Sequence, residues 1–319
     1  MLVSDSGRSG AALGPHTVES LDESAQLARA GKKYATSTIY FPSTVPQDEL
    51  LASVVIIPGY AAGEGTIAAW GAFLASHGLL AMTIGAKSPF RDLPRDRAAA
   101  SLDAIQALKE EHTHEQSALA GRLDVTRFAI AGWSLGGGGC HLAALADPSL
   151  KCVIAFTPHP GLLLCCSMPG ELTDTVPSLF IAGQCDVVAW TTLVWRMYHR
   201  VRAPKLILEV RRGDHAVANG PAGGSVFDIM WGCGVCAPCT ISCGVCCSNY
   251  SPCGAFDKPT GLPRAEARRG AIGGTVLNFL KMYLQESTSQ AQDAIAQQLA
   301  ERPSIASGFA CENIAMVRT

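Results

Sequence analysis

Between Phe128 and Cys140 the chain reads FAIAGWSLGGGGC, an apolar run that delivers a serine, Ser134, into a series of glycines. A serine hydroxyl attacks a carbonyl only when a neighbouring imidazole takes its proton, and that imidazole needs a carboxylate to fix its tautomer. Gly132, Ser134 and Gly136 satisfy G-x-S-x-G. Residues without side chains there let a strand and the following helix approach closely enough for the serine to occupy a strained turn at the sheet's carboxyl edge. The rival use of a glycine run, a phosphate cradle, needs a lysine and a hydroxyl residue after the last glycine. Here Gly139 is followed by Cys140 and His141, and no G-x-G-x-x-G opens the chain after its first strand.

The partners of such a serine follow in the order acid, then histidine, each on a loop after a strand. Asp186 comes just after SLFIAGQC and His215 just after KLILEVRRGD, so Ser134, Asp186 and His215 are the expected nucleophile, orienting acid and base. His159, in TPHPG after the run CVIAFTP, lies at the same edge and is expected to form a wall of the cleft. His16, His77, His112, His114, His141 and His199 fall before the sheet, on helices or in a charged loop. Asp214, next to the base in sequence, is expected to be a solvated loop carboxylate. Two backbone amides should receive the developing oxyanion: that of Leu135, after the nucleophile, and that of Tyr60 in PGYAAGEG.

The elements that must carry these residues alternate. Ser37 to Pro42, Ser53 to Tyr60, Gly78 to Ile84, RFAIAGWS, CVIAFTP, SLFIAG and KLILEV read as strands, several of them unbroken apolar runs buried on both faces. Helical patterns separate them at TIAAWGAFLASHG, Asp96 to Glu111, CHLAALAD and Thr191 to Val201, and a closing helix spans Gly270 to Gln285. The expected class is α/β, an α/β-hydrolase fold with a mostly parallel central sheet flanked by helices. Residues 1–36 read as a lead-in, 37–286 as the hydrolase domain with a Cys-rich inserted loop over 222–264, and 287–319 as a surface tail.

The 319 residues carry a formal net charge of -2, which gives no general attraction to nucleic acid or anionic lipid. Apolar runs such as Leu51 to Pro58 fall well short of the roughly 20 residues that span a bilayer. The N-terminal MLVSDSGRSGAALG lacks the unbroken apolar stretch of a secretory signal. A monomer acting on an ester, with no cofactor, is expected.

Seven of the 13 cysteines crowd between Cys233 and Cys253. Cys233, Cys236, Cys239 and Cys243 are spaced like an iron–sulfur run, but no proline follows and no second run occurs. Disulfides or a thiol-bearing loop are favoured there over structural zinc, and zinc over a cluster.

The segments STIYFP, IIPGYAA, WGAFLASHGLLAMTI, GWSLGGGG, DPSLKCVIAFTP, IAGQCDVVA, GDHAVAN and FACEN resemble the bacterial polyester hydrolases, which include cutinase-like and poly(ethylene terephthalate) hydrolases. The resemblance implies the same catalytic residues, with Tyr60 and Leu135 as oxyanion donors and Val188 as an apolar cleft position. It also implies secretion and an ester or polyester substrate. In the family the cysteine of FACEN has a disulfide partner further on, whereas no cysteine follows Cys311, so its partner is missing or is one of the upstream thiols. The chain departs from the family's pattern at Trp133 and Leu135, where histidine and methionine are usual. It departs again at His159, where a tryptophan is usual and a smaller polar ring would stack more weakly on an aromatic substrate. The alternatives are a dienelactone-type or acetyl-ester hydrolase acting on a soluble molecule, and a non-catalytic binding module on the same frame.

Overall fold

The computed structural model describes residues 13–22, 32–161, 171–186, 188–223, 263–285 and 288–314. Cys233, Cys236, Cys239, Cys243 and the rest of the cysteine cluster lie outside them.

Nine strands form one sheet: β1 (Val18–Asp22), β2 (Tyr34–Pro42), β3 (Leu51–Ile57), β4 (Leu80–Ala86), β5 (Leu123–Trp133), β6 (Cys152–Phe156), β7 (Ser178–Gly183), β8 (Lys205–Val210) and β9 (Ala306–Glu312). Their spatial order is β1-β2-β4-β3-β5-β6-β7-β8-β9. Pairings from β4 to β8 are all parallel, while β1 with β2, β2 with β4, and β8 with β9 are antiparallel. The helices are α1 (Ala68–Ser76), α2 (Pro94–Thr113), α3 (Leu135–Ala146), α4 (Thr191–Arg200), α5 (Ala265–Arg268), α6 (Gly274–Leu284) and α7 (Ser289–Ala300), with a π turn, Arg269–Gly273, joining α5 to α6. This mostly parallel sheet with flanking helices is the expected architecture.

Successive strand side chains point to opposite faces, so an apolar run can be buried only if both faces are covered. In β3, Val54 and Ile56 pack with Trp70 and Phe73 of α1 and Phe279 and Leu280 of α6. Val55 and Ile57, their neighbours in sequence, pack instead with Ile105 and Leu108 of α2 and Ala143 of α3. The same alternation in β6 sends Ala155 to the side of Val153, where it meets Val194 and Tyr198 of α4. Helix α2 starts two residues before the expected Asp96. Pro94 needs no amide partner at the first helical position, and the Asp96 carboxylate accepts from the Leu93 amide at 2.9 Å.

The sheet continues past both limits of the 37–286 segment. β1 pairs with β2 from Val18 opposite Pro42, and β9 pairs with β8 from Glu312 opposite Lys205. The 287–319 tail therefore contributes α7 and the edge strand β9. Lys205 ties this edge: its buried ammonium donates to the carbonyls of Tyr198 (3.1 Å) and Val201 (2.8 Å) and lies 3.3 Å from the Glu312 carboxylate. Among the described residues no helix is long and apolar enough to cross a membrane.

Candidate active site

Strand β5 ends at Trp133 and α3 begins at Leu135, leaving Ser134 between them at φ 57°, ψ -118°. A non-glycine residue in this region is strained, and its neighbours must over-determine it. They do so through three backbone hydrogen bonds: the Ser134 amide to the Phe156 carbonyl (2.9 Å), and the amides of Gly138 (3.1 Å) and His159 (2.8 Å) to the Ser134 carbonyl.

Each glycine around the serine admits a different piece of backbone. A Cβ on Gly132 would collide with the main chain of Gly136. One on Gly136 would fall 2.5 Å from the Ile57 carbonyl oxygen, and one on Gly137 2.9 Å from Pro158 Cβ. At Gly138 it would strike the His159 carbonyl, and at Gly139 it would lie 2.9 Å from the Pro94 carbonyl oxygen and 3.0 Å from Arg97 Cβ. The glycine run thus seats α3 against the β3–α1 loop, the loop after β6 and the start of α2 together.

His215 bridges the other two side chains. Its Nε2 lies 2.8 Å from Ser134 Oγ and its Nδ1 2.8 Å from Asp186 Oδ2, with all three residues buried. An ionised carboxylate only accepts, so Nδ1 carries the imidazole proton and Nε2 is left to accept from the serine hydroxyl. The second oxygen of Asp186 accepts from the amides of Val188 (2.8 Å) and Ala189 (2.9 Å), which fixes the carboxylate's rotation. The His215 carbonyl is held as well, by the Trp133 indole N–H at 2.7 Å and the Thr157 hydroxyl at 2.9 Å. Asp214 is buried, and its Oδ1 accepts from the Ala216 amide at 3.0 Å, so it is not the solvated carboxylate expected.

The β3–α1 loop runs directly alongside. A Cβ on Gly59 would fall 2.7 Å from Ser134 Cβ, which brings the adjoining Tyr60 beside the serine. The Tyr60 amide donates to no backbone carbonyl among the described residues. Leu135 opens α3, where an amide has no intrahelical acceptor. The Tyr60 ring meets Phe90 edge-on, 5.9 Å between centroids, and Phe90 is 61% exposed. Phe90 escaped the sequence reading because KSPFRD in the loop after β4 carries no motif, although a lone aromatic just past a strand's carboxyl end was the available signal. His159 is partly exposed, its amide donates to the Ser134 carbonyl, and its Nδ1 accepts from the Gly161 amide at 3.3 Å. Desolvation, and then the neighbouring His215, push its pKa down to about 4. Val188 is half-buried, and its best-defined contact is the amide hydrogen bond to Asp186.

Among the described residues no group of three His, Cys, Asp or Glu side chains is arranged to hold a metal ion. Cys140, Cys152 and Cys311 are free thiols, so of the two alternatives for Cys311 the missing partner holds and the upstream thiol does not.

A serine at a strand-to-helix turn, hydrogen-bonded through histidine to a buried aspartate on a mostly parallel sheet, defines the α/β hydrolases. Residues 6–231 match the family model described as PET hydrolase-like, and the chain belongs to that family. It is 36% identical over 176 residues to the bis(hydroxyethyl) terephthalate hydrolase of Streptomyces coelicolor, covering 55% of this chain and 52% of that protein. It is 32% identical over 190 residues to cutinase est2 of Thermobifida alba, covering 58% and 59%. It is 29% identical over 203 residues to lipase 1 of a Moraxella species, covering 63% and 59%. These matches thus span a little over half the length of each relative.

Proposed function

We propose that the protein is a serine carboxylic-ester hydrolase of the cutinase and polyesterase type. The observation that carries this reading is the unbroken relay from Ser134 Oγ through His215 to Asp186, with both contacts at 2.8 Å. Ser134 Oγ attacks the acyl carbon while His215 Nε2 takes its proton, and Asp186 stabilises the imidazolium. The amides of Tyr60 and Leu135 bind the oxyanion of the tetrahedral intermediate. Collapse breaks the bond to the alcohol, which leaves with the proton from His215, and the acyl group stays on Ser134. His215 then deprotonates a water that attacks the acyl carbon, and Ser134 recovers its proton as the acid departs.

Tyr60, Phe90, His159 and Val188 form the walls that meet the acyl part, and their apolar and aromatic character favours a hydrophobic or aromatic ester. The relatives named for cutin and terephthalate esters support a polyester as the substrate. The test sets wild type and Ser134→Ala side by side on nitrophenyl esters of increasing chain length and on a polyester film. Wild type is expected to hydrolyse both kinds of substrate, and Ser134→Ala to lose at least about 10⁴-fold in kcat. Equal hydrolysis by the two proteins overturns the mechanism. Activity on short soluble esters with an untouched film would instead favour the small-molecule reading.

A further inference from the structure

Arg97, on the first turn of α2, is fully buried. Among the described residues its guanidinium bonds no carboxylate. The nearby Asp92 and Asp96 carboxylates are engaged by the amides of Ser88 and Leu93. Nη1 donates to the Pro58 carbonyl at 2.9 Å, Nη2 donates to the Pro89 carbonyl at 3.3 Å, and Nε has no partner among the described residues. The Pro89 carbonyl also accepts from the Ala61 amide at 3.0 Å. One side chain therefore grips the stretch that presents Tyr60 at both ends: at Pro58 directly, and at Ala61 through the shared carbonyl of Pro89. Ala61 sits at φ 56°, a conformation that a free loop would leave.

As a purely structural choice this residue is poor. Removing a guanidinium from water without an anionic partner is unfavourable, and burial pulls its pKa down to about 10. It also stands at the positive end of the α2 dipole, where a cation is repelled. What it offers in return is a rigid planar fork that can hold two carbonyls on different loops in fixed relation. The loop that carries Pro58 borders the serine, since a Cβ on Gly59 would fall 2.7 Å from Ser134 Cβ. The carbonyl oxygen of Pro58 lies 2.8 Å from where a Cβ on Gly136 would be, and Gly139 leaves room for Arg97 Cβ itself.

We infer that Arg97 is a positioning residue for the oxyanion loop, holding the Pro58–Ala61 segment so that the Tyr60 amide points at the developing negative charge beside Ser134. This rests on the hydrolase reading given above. An oxyanion donor acts by where it points in the transition state, so loosening the loop should lower kcat and leave ground-state binding nearly unchanged.

The experiment compares wild type, Ser134→Ala, Arg97→Met and Arg97→Lys. It measures kcat and KM on a nitrophenyl ester, Tm, and inhibition by an alkylboronic acid, which mimics the tetrahedral intermediate by bonding to the serine oxygen. Arg97→Met removes the fork and the buried charge together, whereas Arg97→Lys keeps a charge that can hold only one carbonyl well. Folded Arg97→Met is expected to lose about 10- to 100-fold in kcat with KM within about twofold, and to bind the boronic acid correspondingly more weakly. Arg97→Lys should recover part of both. Wild-type kcat and boronic acid affinity in either folded variant overturns the proposal. So does a loss of activity that only tracks the folded fraction, or a failure of both variants to fold, each of which makes Arg97 a stability residue. Failure of the hydrolase reading looks different: wild type and Ser134→Ala would then hydrolyse the ester equally.

Discussion

Two donors converge on one backbone oxygen, the carbonyl of His215, and neither belongs to the proton relay. Because Trp133 and Thr157 both hold that carbonyl, deleting one should shift the base slightly and leave the oxygen still bonded. Trp133→Phe is expected to lower stability by about 1 kcal/mol and kcat by several-fold, checked by denaturant unfolding and ester kinetics on the same preparation. An unchanged kcat would show that Thr157 suffices. The juxtaposition of Ser134, His215 and Asp186 was legible in the sequence because a motif and two strand ends mark them. The roles of Trp133 and Thr157 were not, since an acceptor on the main chain leaves no trace in residue type. The half-buried Val188 shows the same limit: an apolar cleft side chain is what sequence suggests, while its amide on Asp186 is visible only in the fold.

Among the helices, α3 and α6 respond oppositely to the same substitution. Alanine is normally favoured over glycine in a helix by about 1 kcal/mol. Gly274, at the start of α6 with helical dihedrals, has nothing among the described residues within 4 Å of an added Cβ, so Gly274→Ala should stabilise by about 0.5–1 kcal/mol. Gly138→Ala in α3 should reverse that sign and destabilise by several kcal/mol, because the His159 carbonyl is rigid backbone and cannot yield. Thermal unfolding of the pair reads the contrast directly. The interior strands were legible for a related reason, since burial on both faces demands the unbroken apolar runs of β3 and β4. Strands β1 and β9 were not, because an edge strand is only partly covered and its mixed pattern looks like loop.

At the scale of the whole molecule, two histidines set a dependence of stability on pH. His141 is fully buried in α3, stacked 5.1 Å from Phe180, and among the described residues neither ring nitrogen has a hydrogen-bond partner. Desolvation lowers its pKa to about 3, as burial lowers that of His159 to about 4. Both rings stay neutral in the folded chain at pH values where the unfolded chain has already taken a proton, near pH 6.5. Below that point the unfolded state binds more protons, so stability falls with pH by at most about 1.4 kcal/mol per unit for each group, and levels off below the folded pKa. His141→Leu is expected to lose up to about 3 kcal/mol less than wild type between pH 7 and pH 4, measured by denaturant unfolding at both values. Equal losses in the two proteins would mean that the ring is solvated or hydrogen-bonded after all.

The left-handed backbone at Ser134 makes the proposed nucleophile's position a thermodynamic burden that a glycine would not carry. Ser134→Ala and Ser134→Gly both abolish the relay, but only the second relieves the dihedral, and it should be the more stable of the two dead proteins by about 1–2 kcal/mol. A search for heat-resistant variants that scores folding alone would therefore drift toward glycine at this position and discard the proposed activity. Thermostable forms of this chain have to be selected with catalysis in the screen.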